Sequence, residues 1–379
     1  MAITNIAYPS GSPSLQDDLW HIFNTNVSGQ TDYKYVMDIF VGGTQQVRVK
    51  LYPEPTNNRG YFNAGPIVRN TLTYEWLTPK EELIVCQPNV SGQVAQTYQY
   101  RIGEEYSGTT YLNLVSGSVT AFNWVAPTFK RRVSDLSIYN GKALTNRPGE
   151  INANLTDNLY IGAKDVSGVT VVTYNQNNTL VTTANLSLIS LRPFIQLNIG
   201  PNAINTTYGS ALINSATKYY MVTIGASIYR INLACNPKYE SYNLHFMNHL
   251  GVFDTAIFDL ASRLTMDVTR KGFEKRDFAF GNSAVTYFDA NKKYNDSNVN
   301  YLNKKDHSYK LTMNAPNDLE YEWLAELIDS PQVYFELDGY YYPVSIKNNN
   351  YEYSKYVNNR LRVFEVDIDI NQTRYSQLR

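Results

Sequence analysis

His245 and His249 stand four residues apart in His-Phe-Met-Asn-His, the nearest approach to a metal-binding pair in this 379-residue chain. On a helix that spacing would put both imidazoles on one face. The alternation of Tyr242, Leu244 and Phe246 reads instead as a strand, where residues four apart lie about 13 Å from each other. No acidic residue sits between the histidines, so the zinc-protease pattern is missing, and both read as buried or turn-capping side chains. Glu365, Asp367 and Asp369 offer carboxylates of the kind that cleave glycosides when two are held about 5 to 9 Å apart. They alternate with Phe364, Val366 and Ile368, which makes them the wet face of a strand. Asp17-Asp18, Glu81-Glu82 and Glu104-Glu105 read as solvated loop charges. There is no Gly-rich phosphate loop, no nucleophile elbow, and no cysteine in a nucleophile's context. The residues therefore assign no catalytic, cofactor-binding or metal-binding role, and the chain reads as a non-enzyme.

The elements that would position these side chains are strands. Tyr33, Tyr35, Met37, Ile39 and Val41 alternate with Lys34, Val36, Asp38 and Phe40. Gly42-Gly43 supplies a two-residue hairpin turn, and Val47, Val49 and Leu51 return on the other side. Pro53 and Pro55 end that strand because proline cannot donate to the ladder. With further strands at Leu19–Asn24, Gln96–Ile102 and Val119–Val125, residues 1–130 read as a β-sandwich. Strands at Asn158–Ala163, Val169–Tyr174, Leu180–Asn185, Phe194–Ile199, Tyr219–Ile224 and Ile228–Ala234 make residues 131–255 a second, immunoglobulin-like sandwich. The basic triplet Lys130-Arg131-Arg132 between them reads as a solvated strand end.

Residues 256–379 read as a β-rich domain with one short helix at 318–329. Asn317 caps that helix, Glu320 completes a capping box, and Leu319, Trp323, Leu324, Leu327 and Ile328 form its apolar face before Pro331 stops it. Leu264, Met266 and Val268 suggest a half-buried strand. Residues 289–308, polar and rich in Asn and Lys, suggest a long loop or arm that orders against a neighbouring subunit. Asp338-Gly339 marks another hairpin. In the last strand Leu361 and Val363 point inward and the phase then switches to Phe364, which implies a bulge or a strand buried on both faces. The fold class is mainly β: two consecutive β-sandwich domains, then the β-rich C-terminal domain.

Tyr239–Asp259 joins the last two units. Its polar residues His245, Asn248, His249 and Asp254 fall inside an apolar stretch, which suggests the closing strand of one sandwich and the turn into the next domain. Gly251 permits that turn, with Asn248 or Asp254 available to bond its backbone.

A net charge of −1 argues against a tight grip on nucleic acid, which takes a basic excess, and suits a channel along which DNA slides without sticking. Cys86 and Cys235 read as buried free thiols of a protein made in a reducing cytoplasm. No signal peptide and no membrane-spanning run is apparent. The sequons at Asn154 and Asn205 are what an Asn-rich chain produces by chance. The 32 tyrosines could stack on sugar rings, though strand cores and interfaces are their commoner place.

Three stretches resemble structural proteins of tailed bacteriophages that infect gut Bacteroidetes, the crAss-like phages. They are residues 33–70 (YKYVMDIFVGGTQQVRVKLYPEPTNNRGYFNAGPIVRN), the LHFMNHLGVFD core of Tyr239–Asp259, and residues 330–355 (SPQVYFELDGYYYPVSIKNNNYEYSK). The resemblance implies a virion component of the neck or tail, most like a tail hub protein. Such a protein would form a ring around the DNA channel, bind copies of itself and other tail or neck proteins, and need no cofactor. A closed ring needs two different surfaces on each subunit, and a long arm is one way to supply them. A carbohydrate-binding adhesin or fibre module that contacts the host surface is the alternative expectation, and a polysaccharide-degrading enzyme a third.

Overall fold

The computed structural model describes residues 3–73, 82–86, 94–125, 136–187, 194–209, 211–233, 238–280, 283–315, 317–347, 362–370, 372 and 374–375. The chain is mainly β and divides into two compact units. The first comprises Met1–Pro237, His245–Ala256 and Glu322–Pro331; the second comprises Lys238–Leu244, Ile257–Tyr321 and Gln332–Arg379.

The first unit opens with β1 (Ile3–Ala7), β2 (Trp20–Thr25), β3 (Lys34–Val41), β4 (Thr44–Leu51) and β5 (Gly60–Asn63), then helix α1 (Gly65–Arg69), β6 (Ile84–Cys86), β7 (Ala95–Tyr106) and β8 (Thr109–Phe122). A three-stranded sheet β1-β2-β5 and a four-stranded sheet β4-β3-β7-β8 enclose one core. Phe23 and Phe62 meet Tyr35, Met37, Ile39, Tyr98 and Ile102 there. The Gly42-Gly43 turn has positive φ at both residues, the geometry whose twist matches a β-hairpin. Buried Asp38 is paired in register with Arg48, which donates to it through Nε at 2.7 Å and Nη2 at 2.8 Å. That two-pronged pair supplies the compensation a buried carboxylate requires.

Next come β9 (Lys142–Ala143), β10 (Glu150–Ala153), β11 (Tyr160–Lys164), β12 (Gly168–Asn175), β13 (Leu180–Ser187), β14 (Phe194–Asn198), helix α2 (Pro201–Tyr208), β15 (Thr217–Ile224) and β16 (Ser227–Leu233). They form a five-stranded sheet β10-β16-β15-β12-β13 and a four-stranded sheet β6-β14-β11-β9. Val169, Val171, Val222, Ile224 and Ile231 are buried from the first sheet, Ile161, Ala163, Ile195 and Leu197 from the second. The buried Tyr220 hydroxyl donates to Ile199 O at 2.9 Å, tying β15 to the end of β14. The expected strands are all present, but β6 lies within residues 1–130 and pairs with β14. Turn residues mark where a strand ends; they do not say which sheet it joins.

The remaining elements are β17 (Tyr242–Met247), β18 (Phe253–Phe258), β19 (Arg263–Glu274), β20 (Ala279–Phe280), β21 (Val285–Thr286), β22 (Asn298–Ala315), α3 (Asp318–Ile328), β23 (Val333–Leu337), β24 (Tyr340–Ile346), β25 (Arg362–Ile370) and β26 (Arg374–Tyr375). The strand order is β18-β17-β23-β24-β25-β22-β19, with β26 beside β22. The chain passes from the first unit to the second at Ile257, and residues 322–331 belong to the first unit. The capped helix is where its pattern placed it: the Glu320 N–H donates to Asn317 Oδ1 at 2.8 Å.

Three expectations for this region are corrected. Residues 298–308 form the first half of β22, not a loop, and twelve cross-strand pairs with β19 run from Arg263↔Lys310 to Glu274↔Asn298. Residues 298–308 are dominated by Asn, Lys and other polar side chains, so no sustained apolar alternation announces this strand. Leu264 and Met266 are exposed rather than half-buried. In β25 the phase never switches: Val363 points out, Phe364, Val366 and Ile368 are buried, and the register with β22 is unbroken. Leu361, Glu81, Cys235, Lys130-Arg131-Arg132 and residues 348–360 lie outside the described residues, as does the side chain of Cys86.

Candidate functional site

The paired histidines lie in the β17–β18 hairpin, within its residues 245–256, which belong to the first unit. In β17 His245 is fully buried, its Nδ1 2.9 Å from Thr255 Oγ1 and its ring edge-on to Tyr160 at 4.8 Å. Residues 248–252 then turn back into β18. The Asn248 N–H donates to Val252 O at 2.8 Å, and Asn248 Oδ1 accepts from the N–H groups of Leu250 and Val252 at 2.9 and 3.3 Å. Asn248 Nδ2 donates to Leu144 O at 2.8 Å, which pins the turn to its surroundings. Gly251 holds φ at +80°, and a Cβ there would come within 2.0 Å of Asn123 O. Of the two residues proposed to bond the turn, Asn248 does so. The turn lies in the first unit, and the chain passes to the second at Ile257.

Asp254 serves a different purpose. It is buried in β18, where its Oδ2 accepts from the Thr145 hydroxyl at 2.5 Å and from the Trp323 indole N–H at 2.9 Å. Its Oδ1 has no hydrogen-bond partner. Burial pushes its carboxyl up to about 7, with the Glu326 charge adding to the effect; the bonds from Thr145 and Trp323 pull the other way. Desolvation dominates because an ionised carboxylate with one unpaired oxygen is costly in a dry site. Burial also raises the Tyr229 phenol, with the Asp254 charge a further cause.

Around this carboxylate, Arg147 lays its guanidinium 4.6 Å from the Trp323 ring centroid and donates to Thr255 O at 2.5 Å. Glu326 accepts from Asn146 Nδ2 at 2.8 Å and from the His249 N–H at 3.0 Å. The His249 ring lies 4.0 Å from Glu326 Oε1 and 3.4 Å from Asp329 Oδ2. Gln196 completes the arrangement: its amide donates to Phe253 O at 2.8 Å and accepts from the Phe253 N–H at 3.1 Å. These bonds join the hairpin, the 145–147 segment and residues 322–331 into one polar cluster of the first unit.

His245 and His249 are thus separated, one packed in a strand and one in a turn. Among the described residues no group of three or more His, Cys, Asp or Glu side chains is placed to hold a metal ion. A cleft of about 250 Å³ opens beside the turn, lined by Gln16, Asn123, Met247, Asn248, His249 and Asp329 among others. Amides and one imidazole there can offer hydrogen bonds. Glu365, Asp367 and Asp369 sit on the outer face of β25 as expected; Lys310 meets Glu365 at 2.5 Å and Lys347 meets Asp369 at 2.7 Å.

Two buried groups escaped the sequence reading. Glu104 is fully buried in β7, not a solvated loop charge, and burial raises its carboxyl above the usual range, against the opposing pull of the Tyr33 phenol. The signal was present, since Glu104 continues the alternation Tyr98, Tyr100, Ile102. Glu105 is half-buried in the same strand and meets Lys50 at 2.5 Å. His21 is buried against Tyr98, ring nitrogen to hydroxyl at 2.9 Å, and burial lowers it to about 4.

No family model matches this chain, and no curated protein matches it. Two solved structures are similar in part. The FN1–FN3 domains of chicken CNTN1 give a TM-score of 0.20 at 10% identity, covering 61% of this chain and 68% of that one. The BSP domain of a biofilm-associated protein gives 0.17 at 8% identity, covering 82% and 63%. At such scores the fold description rests on the sheet topology itself. No helix among the described residues is long and apolar enough to cross a membrane.

Proposed function

We propose that this chain is a non-enzymatic structural component of a bacteriophage tail, hub-like, which assembles into a ring around the DNA channel and anchors other tail proteins. Its place would be the virion tail, after synthesis in the host bacterial cytoplasm. The observation that carries this reading is where the chain puts its unusual groups. The polar residues of the hairpin cluster bond to one another inside the fold, while a long ribbon holds large apolar side chains out to solvent. Exposed apolar area of that kind marks interaction surfaces. The likeness of residues 33–70, 239–259 and 330–355 to crAss-like phage proteins supplies the class of assembly. A net charge of −1 fits DNA that passes nearby without being gripped. Mass photometry and negative-stain imaging of the purified chain, alone and with tail proteins, test the reading. Ring-like particles or co-assembly are expected; a strict monomer that joins no virion protein overturns it.

One observation favours the carbohydrate-binding alternative. Trp20 and Tyr61 are both exposed on the outer face of the sheet β1-β2-β5, where Trp20 faces Asn63 and Ile22 faces Tyr61. The two rings are thus diagonal neighbours on neighbouring strands, flanked by Asn57, which donates to the Tyr61 hydroxyl at 2.9 Å. An exposed aromatic pair beside amide groups is a surface on which a sugar ring can stack. A glycan array decides it: Trp20→Ala should abolish a signal seen with the unaltered protein, and no signal with either rejects the reading.

A further inference from the structure

From Asp259 to Lys310 no described residue is buried. The ribbon of β19 and β22, with the small β20–β21 hairpin at its far end, has no core of its own. Nine of the 25 large apolar side chains exposed among the described residues fall within residues 263–310, Phe280 at 70% and Tyr294 at 72% exposure among them. At the far end the rings gather: Phe278 lies 5.3 Å from Phe280 and 6.2 Å from Tyr287, and Phe288 lies 5.9 Å from Tyr294. Beyond Lys304, where β26 pairs with β22, only two strands remain; such a ribbon is marginal in water, and a cluster of exposed aromatics is costly unless something covers it. β19 is also the last strand of its sheet, so one edge of its backbone faces outward over twelve residues.

Charge says what covers it. Residues 263–310 carry ten Lys/Arg and six Asp/Glu, an excess of four positive charges, while the rest of the chain carries 23 and 28, an excess of five negative. Two ribbons would repel each other. A ribbon and the remainder of another copy attract, which is the complementarity that sets register and partner choice at interfaces. We infer that the 263–310 ribbon is a clamp that seats its aromatic end on the acidic body of a second copy of this chain. The contact is heterologous: the ribbon of one copy meets a different surface of the next, which generates a ring where the rotation closes. The inference rests on the assembly reading above and narrows it to one segment.

Three full-length proteins test it by mass photometry and light scattering: the unaltered chain, Phe280→Ser/Tyr294→Ser, and a chain whose residues 275–297 are replaced by Asn-Gly. The unaltered chain should self-associate. The double variant should do so at least about tenfold more weakly, the scale of losing buried aromatic anchors. The shortened chain should not associate with itself yet should still be captured by the unaltered chain, because it keeps the receiving surface. Equal association of all three overturns the inference. So does a shortened chain that the unaltered one cannot capture, or an unaltered chain that stays monomeric up to about 50 μM, within reach of even a weak interface. Co-purification with tail proteins separates the two ideas. If tail proteins fail to bind a chain that self-associates through its ribbon, the tail reading falls alone. If they bind and the ribbon is dispensable for self-association, the inference falls alone.

Discussion

The hairpin cluster around Asp254 and the ribbon of residues 263–310 break the ordinary placement of side chains in opposite ways. One buries a carboxylate and an imidazole; the other exposes phenylalanines and tyrosines. Buried polar groups and exposed apolar ones are the informative exceptions to a folded surface. In the cluster the exceptions answer one another: Asp254 is bonded by Thr145 and Trp323, and Trp323 is covered by Arg147. The aromatics at the ribbon's far end lie against one another and the Arg276 guanidinium. The first arrangement is complete within the chain and should govern stability. The second is unfinished and should govern association.

Four measurements bear on that contrast. The largest effect belongs to Gly251→Val. A side chain at φ +80° pressed to within 2.0 Å of Asn123 O should cost more than about 4 kcal/mol, seen as loss of the cooperative thermal transition. A variant that melts normally would show that the turn does not organise the cluster.

Asp254 comes next. Its carboxyl is held near 7 in the fold against an ordinary value of 3.8, so the folded state keeps a proton that the unfolded chain has released. The contribution is full below about pH 4 and is lost as pH rises towards 7, on the order of 4 kcal/mol in all. Denaturant midpoints should therefore fall between pH 4.5 and 8, and Asp254→Asn should flatten that slope. An unchanged slope would place the pH dependence elsewhere.

Trp323→Phe removes the indole N–H from Asp254 and weakens the ring under Arg147. A loss of about 2 kcal/mol is expected, with the pH-dependent fall moved upward because one bond favouring the ionised form is gone. Stability equal to the unaltered chain would mean the cluster tolerates the gap. The smallest effect is Phe280→Ser. On a surface with no neighbours in its own core it should shift stability by no more than about 0.5 kcal/mol. A clear drop in melting temperature would mean the ribbon end is part of the fold and not spare surface.

Much of the fold was legible where local chemistry decides it. Gly42-Gly43 and Asp338-Gly339 mark real turns with positive φ, and Asn317 caps the helix its pattern named. Helix α2 was overlooked although Pro201 opens it and Gly209 closes it, because its eight residues include two Asn and two Thr that read as loop. The ribbon was misjudged for a related reason: Lys304, Lys305 and Asp306 are strand residues by virtue of their partners across β19, and neither face has a core to reveal the period. At the candidate site, Asn248 and Gly251 could be assigned to a turn from their types alone. The partnership of Asp254 with Thr145 and Trp323 could not, since it joins residues 109 and 69 positions apart.

The division of the chain between its two units carries a consequence for synthesis. Residues 245–256 and 322–331 belong to the first unit although both follow its long opening segment. Domains made early usually finish folding while the ribosome still works on the rest. Here the nascent chain must wait. Until Trp323 has left the exit tunnel Asp254 lacks its indole partner, and by then the whole ribbon has already emerged, its aromatics open to any other nascent chain nearby. Neighbouring ribosomes on one message would then bring ribbon and body together at high local concentration, so that the first encounter between copies could precede the release of either.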